Sequence, residues 1–323
     1  MTPSLFGAVA RCLTPLLAAA ALAGAAPAHA DGDNPLGGMP FYVDPISKAM
    51  HASNAQPDSA ELARVANTPQ AYWLDQAFGV GSVGSTVARH TGAAAAAGAM
   101  PVLVIYAIPH RDCGSYAAGG FSSGASYRAW IDSVADGIGG NPAAIVLEPD
   151  ALAMADCLSG DARQERFDLI SYAVDTLGRN PATAVYVDAG HSRWVSAGEM
   201  ANRLNQAGVG RARGFALNST NYFSTDEEIG YGEEISGMTG GAHYVIDTSR
   251  NGNGPAEGDP FGWCNPSGRA LGAAPTADTA GQHADAYLWV KRVGESDGSC
   301  GSGEPAAGHF VSDYAINLAR NAG

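Results

Sequence analysis

Asp112 and Asp150 are the residues whose setting could do chemistry. Each follows an apolar run through a proline, Pro109 before one and Pro149 before the other, so both carboxylates are expected to face one cleft. In a partly dry site two carboxylates cannot ionise equally well. The charge on one raises the pKa of the other and keeps it protonated near neutral pH. A neutral carboxyl beside a charged one is what acid-assisted cleavage of a glycosidic bond requires. A single aspartate after a strand is commonly a turn former or helix cap, so the pairing carries the weight.

Aromatic residues point to the same chemistry. Trp73 lies near Asp75, Trp194 follows Asp188 by six residues, and Trp263 precedes Cys264-Asn265. A flat indole stacks on the apolar face of a pyranose while polar neighbours bond its hydroxyls. Trp130 falls within an amphipathic stretch and Trp289 within an apolar run, so both are expected in the core.

Other chemistries find less support. Gly119-Gly120 and the glycines of Gly294–Gly303 match neither a P-loop nor a dinucleotide fingerprint and read as cleft loops. His90, His243, His283 and His309 show no metal-ligand spacing, so no metal and no cofactor are expected. Ser192 lacks the context of a nucleophile elbow.

These residues need strands to hold them. Apolar runs at Phe41–Val43, Val102–Ile108, Ala144–Leu147, Ala184–Val187, Phe215–Leu217, Tyr244–Ile246 and Tyr287–Val290 are nearly continuous, the pattern of parallel strands covered on both faces. Helical periodicity occupies Tyr127–Ile138, Gln164–Leu177, Ala197–Gln206 and Val311–Arg320. Asn141-Pro142 and Asn180-Pro181 each stop a helix before the next strand. A β-α alternation of this length predicts an α/β barrel or an open parallel sheet. In a barrel the reacting groups sit at the C-terminal strand ends. Asp44, Arg111-Asp112, Glu148-Pro149-Asp150, Asp188, Asn218–Asn221, Asp247 and Lys291–Asp297 follow the seven runs in turn. Polar residues at the same end of every run predict a lined cleft.

The chain has 323 residues and a formal net charge of −14, with 46% hydrophobic residues. That composition suits a globular fold, and its sign disfavours nucleic acid and anionic membrane surfaces as partners while leaving neutral sugars open. Arg11, the apolar stretch Leu13–Ala26 and Ala28-His29-Ala30 read as a secretory signal over residues 1–30, cleaved after Ala30. Residues 31–323, which contain no linker or repeat, are expected to form a single catalytic domain. Four cysteines then remain, Cys113, Cys157, Cys264 and Cys300, an even number in an oxidising destination. Two disulfides are expected, with three connectivities open.

The motif V-x-Y-x-x-P-x-R-D-C-G at Val104–Gly114, followed by I-V-L-E-P-D-A-L at Ile145–Leu152, resembles glycoside hydrolase family 6. The resemblance continues through Val187–His191, Asn218–Tyr222, Trp263-Cys264-Asn265 and Leu288–Gly298, in order and over essentially the whole mature chain. It implies a cellulase on a distorted, partly open (β/α) barrel of about seven parallel strands, inverting the anomeric centre by single displacement. It implies that Asp150 is the general acid, that Asp112 holds up the pKa of that acid and helps organise the attacking water, and that Asp297 is the general base, directly or through water. Tyr106 would force the sugar out of its relaxed chair. Asp188 matches a carboxylate of the sugar-binding region; Trp73, His191, Trp194, Asn221, Trp263, Lys291 and Glu295 match sugar-binding positions, and Asp75 joins them as the neighbour of Trp73. The disulfides it implies are Cys113–Cys157 and Cys264–Cys300. Ala118 stands where many relatives carry a serine thought to position the water.

Exo-acting members of that family roof the cleft with long loops, whereas only 35 residues lie between Cys264 and Cys300 here. Endo action on β-1,4-glucan is therefore expected, with an exo-acting cellobiohydrolase as the alternative. A noncatalytic sugar-binding protein would not need Asp112, Asp150 and Asp297 together. The expected product is a secreted monomer that binds no membrane once the signal is removed.

Overall fold

The computed structural model describes residues 1–3, 34–300 and 303–323. The apolar leader run and the cleavage position after Ala30 lie outside the described residues.

Seven parallel strands form one sheet in sequential order: β1 (Tyr72–Asp75), β2 (Val102–Tyr106), β3 (Ala143–Leu147), β4 (Thr183–Asp188), β5 (Gly214–Leu217), β6 (His243–Asp247) and β7 (Ala284–Leu288). The sheet curls into a half-barrel whose edges, β1 and β7, meet without a ladder. At that seam the Ala71 N–H donates to the Trp289 carbonyl at 2.9 Å and the Trp73 indole N–H to the Val290 carbonyl at 2.8 Å.

Both faces of the strands are apolar, which is why they read as unbroken runs. Val104, Val146, Ala184, Tyr186, Ala216, Val245 and Leu288 point inward with Leu36 and Met100. Leu103, Ile105, Ile145, Leu147, Val187, Phe215 and Ile246 point outward against the helices. The crossovers run through α3 (Val80–Ala96), α4 (Gly124–Ile138), α5 (Gly160–Leu177), α6 (Ala197–Gln206) and α7 (Thr225–Met238), while α1 (Lys48–Ala55), α2 (Ala60–Ala66) and α8 (Ser312–Asn321) pack with Trp289 over the seam. Trp130 and Trp289 are core residues as expected, each with its indole N–H bonded to a carbonyl.

The structure corrects the first strand. Phe41 makes one isolated parallel bridge, to Met100, and the segment plugs the base of the half-barrel instead of extending the sheet. The seventh strand is Tyr72–Asp75, so Asp44 follows no strand and its Oδ1 caps the N–H of Ile46 at 3.0 Å. Helices α1, α2, α3 and α7 also go beyond the sequence reading. Glycines and threonines give α3 poor intrinsic propensity, but Val83, Val87, Thr91 and Ala94 form one buried face. Gly84 and Gly137 allow α3 and α4 to touch backbone to backbone; a Cβ on Gly137 would strike the Gly84 carbonyl.

Candidate active site

The loops after the strands hold a run of strained residues. His110, Asp112 and Cys113 after β2, Glu148 and Asp150 after β3, and Asn218 and Thr220 after β5 all have positive φ without being glycine. Such conformations persist only where surrounding contacts fix them, and they cluster at functional sites.

Asp150 sits on the turn leaving β3. Burial first, then the charges of Asp188 and Asp112, push its carboxyl well above the ordinary aspartate range. The Tyr106 hydroxyl, at the end of β2, is raised by burial and then by the charges of Asp150 and Asp112. The Asp112 charge thus acts on both Asp150 and the Tyr106 hydroxyl. Asp112 is itself raised by burial, against the opposing pull of the Ala117 N–H and of Arg111; its Oδ2 accepts that N–H at 2.6 Å. Arg111 holds the loop by donating to Tyr106 O at 2.6 Å, Gln76 Oε1 at 2.8 Å and Ala117 O at 2.9 Å, with its guanidinium 4.4 Å from the Tyr106 ring centre. The same guanidinium reaches the Ala118 carbonyl at 3.4 Å.

Asp297 lies in a charged cluster on the loop after β7, whose next residue, Gly298, sits against Tyr116 of the Asp112 loop. Arg250 Nη1 meets its Oδ2 at 2.7 Å and Lys291 Nζ its Oδ1 at 2.8 Å. The Tyr222 hydroxyl and the Asn265 N–H add bonds to Oδ2 at 3.1 and 3.0 Å. Although burial opposes it, the two cations hold Asp297 well below the usual carboxylate range. Arg250 is fully buried, with its guanidinium 4.3 Å from the Tyr222 ring centre. The sequence reading did not single out Arg250 or Tyr222, because nothing local distinguishes a buried arginine from a surface one.

The expected sugar contacts divide into two groups. Trp194 and Trp263 are 41% and 39% exposed and so present ring surface, Trp194 beside His191 and Trp263 5.3 Å from the Tyr116 ring. Trp73 is half-buried and stands edge-on to Tyr106 at 5.4 Å. His191 stacks on Phe223 at 4.1 Å, and burial depresses its pKa to about 4. Asn221 is nearly buried, with Nδ2 on the Ser219 carbonyl at 3.1 Å, and Asp75 Oδ1 accepts the Ala77 N–H at 2.9 Å.

Three further expected positions have partners within the protein. Asp188 is fully buried, and its Oδ1 accepts the N–H groups of Asp150 at 2.9 Å and Gly190 at 3.0 Å. Lys291 is committed to Asp297. Glu295 is 3% exposed and is held by Lys48 at 3.1 Å and Arg292 at 2.8 Å. A strand end surrounded by backbone donors and cations captures carboxylates that the sequence alone would assign to a ligand. Asp247 does likewise, its oxygens accepting N–H groups of Thr220, Ser249, Val290 and Lys291 and so joining the loops after β5, β6 and β7.

Cys113 pairs with Cys157 and Cys264 with Cys300, with Cα atoms 6.2 and 6.4 Å apart. The first disulfide anchors the Asp112 loop and the second the Trp263 loop. Among the described residues no group of three or more His, Cys, Asp or Glu is arranged to hold a metal ion, and no helix is long and apolar enough to cross a membrane.

Residues 37–322 match the family model described as Glycosyl hydrolases family 6. Endoglucanase A of Cellulomonas fimi is 49% identical over 284 residues, which are 87% of this chain and 61% of that protein. Endoglucanase A of Thermobispora bispora is 42% identical, covering 94% and 65%, and Endoglucanase 1 of Streptomyces halstedii is 40% identical, covering 96% of each. The chain thus spans less than two thirds of the length of the first two relatives and nearly all of the third. The endoglucanase Cel6 from Mycobacterium tuberculosis, solved in complex with methyl-cellobiosyl-4-deoxy-4-thio-β-D-cellobioside, is 73% identical with a TM-score of 0.88, covering 90% of this chain and 99% of that one. With the family model matched over residues 37–322 and relatives 40–49% identical over most of its length, the chain belongs to glycosyl hydrolase family 6.

Proposed function

We propose that this chain is a secreted endo-β-1,4-glucanase that hydrolyses internal bonds of cellulose or related β-glucans with inversion, needing neither metal nor cofactor. The observation that carries the reading is the buried carboxyl of Asp150, whose pKa is raised well above the ordinary aspartate range by burial and by the charges of Asp188 and Asp112. A neutral carboxyl at neutral pH can donate its proton to the leaving glycosidic oxygen. Endo action is supported by the endoglucanase relatives, and secretion by the paired cysteines. Residues 31–323 are taken as one catalytic domain acting as a monomer.

In this reading Trp73, Trp194 and Trp263 carry the glucan, with His191 and Asn221 at its hydroxyls. Tyr106, kept protonated by its surroundings, presses the sugar at the cleavage point out of its relaxed chair. Inversion requires a second group to take the proton of the attacking water. Asp297, locked between Arg250 and Lys291, is a weak proton acceptor. Asp112 is the more basic carboxylate and borders the acid, so we assign it the receipt of that proton, with Asp297 fixing the charge of the neighbouring loops. Ala118 offers no hydroxyl to hold the water, which leaves more of that task to Asp112.

The test is viscometry of carboxymethyl-cellulose beside reducing-end counting, with Asp150→Asn as control. Internal cutting drops viscosity early, and the control should lose hydrolysis by about a hundredfold or more while retaining cello-oligosaccharide binding. Reducing ends that rise without an early viscosity drop would instead indicate a cellobiohydrolase. Undiminished turnover in the control would remove the acid assignment.

A further inference from the structure

The loop that carries Asp112 leaves the sheet at Ala107 and comes back at Phe121, whose N–H donates to the Ala107 carbonyl at 2.9 Å. At this neck Gly120 passes so close to the Ile108 carbonyl that any Cβ would collide with it. Two buried ionisable side chains grip the neck. Glu148, 1% exposed, accepts the Ala107 N–H on both oxygens and the Ile108 N–H on Oε2, each at 3.1 Å. Arg166 of α5, 2% exposed, donates from Nη2 to the carbonyls of His110 at 2.7 Å and Pro109 at 3.3 Å, and from Nη1 to the carbonyl of Ala151 at 3.1 Å.

The destinations of these bonds are specific. Glu148 and Ala151 bracket Asp150 in the chain, and residues 107–110 lead directly into Asp112. These hydrogen bonds therefore run between the acid turn and the Asp112 loop, and none of them ties one helix to another; Glu148 also faces the Tyr127 hydroxyl of α4. Hydrogen bonds from or to an ionisable partner are stronger than neutral ones, and here they hold two loops whose backbones are strained at His110, Asp112, Glu148 and Asp150. Substituting a neutral amide for Glu148 would turn an N–H donor toward the N–H groups of Ala107 and Ile108.

We infer that Glu148 and Arg166 are positioning residues that brace the Asp112 loop against the Asp150 turn, and thereby aim the acid at the glycosidic oxygen. This rests on the glucanase reading above. Neither side chain touches sugar; each acts through the backbone that carries a catalytic carboxylate. A displacement of about 1 Å at a catalytic group can cost on the order of a hundredfold in rate.

The experiment compares Glu148→Gln with the wild-type chain on two substrates: cellotetraose, whose leaving sugar needs a proton, and 2,4-dinitrophenyl β-cellobioside, whose phenolate leaves without one. Because Asp112 stays held by the Ala117 N–H and its loop by Arg111 and the Cys113–Cys157 disulfide, the brace predicts that kcat on cellotetraose falls about 10- to 100-fold with KM little changed, while kcat on the dinitrophenyl substrate falls less than about threefold. Equal losses on both substrates, or no loss on either, would overturn the inference, since a merely structural role lowers both alike. If Glu148→Gln does not fold, Arg166→Lys carries the same comparison, because lysine keeps the charge and loses the planar fork. Failure of both variants to fold would overturn it too, making the pair an element of stability alone. A wild-type chain inactive on both substrates would instead remove the glucanase reading, and this inference with it.

Discussion

Asp188 Oδ1 accepts the backbone N–H of Asp150 at 2.9 Å, so the residue that positions the acid turn also sets the charge beneath it. After burial, the Asp188 charge is the largest influence raising the Asp150 pKa, ahead of Asp112. Removing that charge lowers the Asp150 pKa, because the ionised acid is no longer repelled. In Asp188→Asn the basic limb of the kcat/KM profile is therefore expected to move to lower pH, with turnover reduced about tenfold or more. A basic limb that stays in place would mean that Asp112 and burial alone keep the acid protonated.

The two remaining carboxylates can be told apart by rescue. If Asp112 takes the proton of the attacking water, Asp112→Ala should lose about a hundredfold in kcat and recover part of it with azide, which attacks without deprotonation. Asp297→Ala should show a different signature. It leaves Arg250 buried without its carboxylate, and breaking such a pair costs about 3–5 kcal/mol, read as a lower Tm. Azide should not restore that variant. Rescue of Asp297→Ala and not of Asp112→Ala would reverse the assignment.

Much of this site was legible because the chemistry sits in short contiguous blocks. Val102–Ile108 and Ala144–Leu147 announce strands by unbroken apolar runs, and Asp112 and Asp150 follow them within a few residues. Ser47, Ser59, Ser123, Ser196 and Ser224 each cap a helix, yet only two of those five helices were expected, since serine is equally common in loops. The strand Tyr72–Asp75 escaped notice because it is four residues long and its tryptophan reads as a ligand platform. Asp188, Glu295 and Arg250 show a deeper limit. Whether an ionisable side chain meets a sugar or a buried backbone amide depends on neighbours tens of residues away, and no local pattern carries that information.

Burial of so many carboxylates fixes how stability should vary with pH. Glu148 and Glu228 are raised to about 7 and Asp188 to about 6, all chiefly by burial, and Asp150 is raised as well. A carboxyl raised in the folded state contributes stability that is fully present below its unfolded pKa of about 4 and lost as pH climbs through the folded value. His191, depressed to about 4, acts oppositely: its contribution is complete above about 6.5 and fades as pH falls. Asp297, held below the usual range, likewise adds stability that disappears only in acid, below about pH 4. With Asp112 and Asp247 also raised, these carboxyls outweigh the two depressed histidines, His90 and His191, between pH 5 and 8, so Tm should fall by several degrees over that interval and fall again in strong acid. Calorimetry across pH 3–9 checks this, and Glu228→Gln should flatten the alkaline fall by removing one of the raised carboxyls. A Tm that is level or rising from pH 5 to 8 would mean that these carboxyls reach water in the folded protein, and with it the case for a protonated Asp150 would weaken.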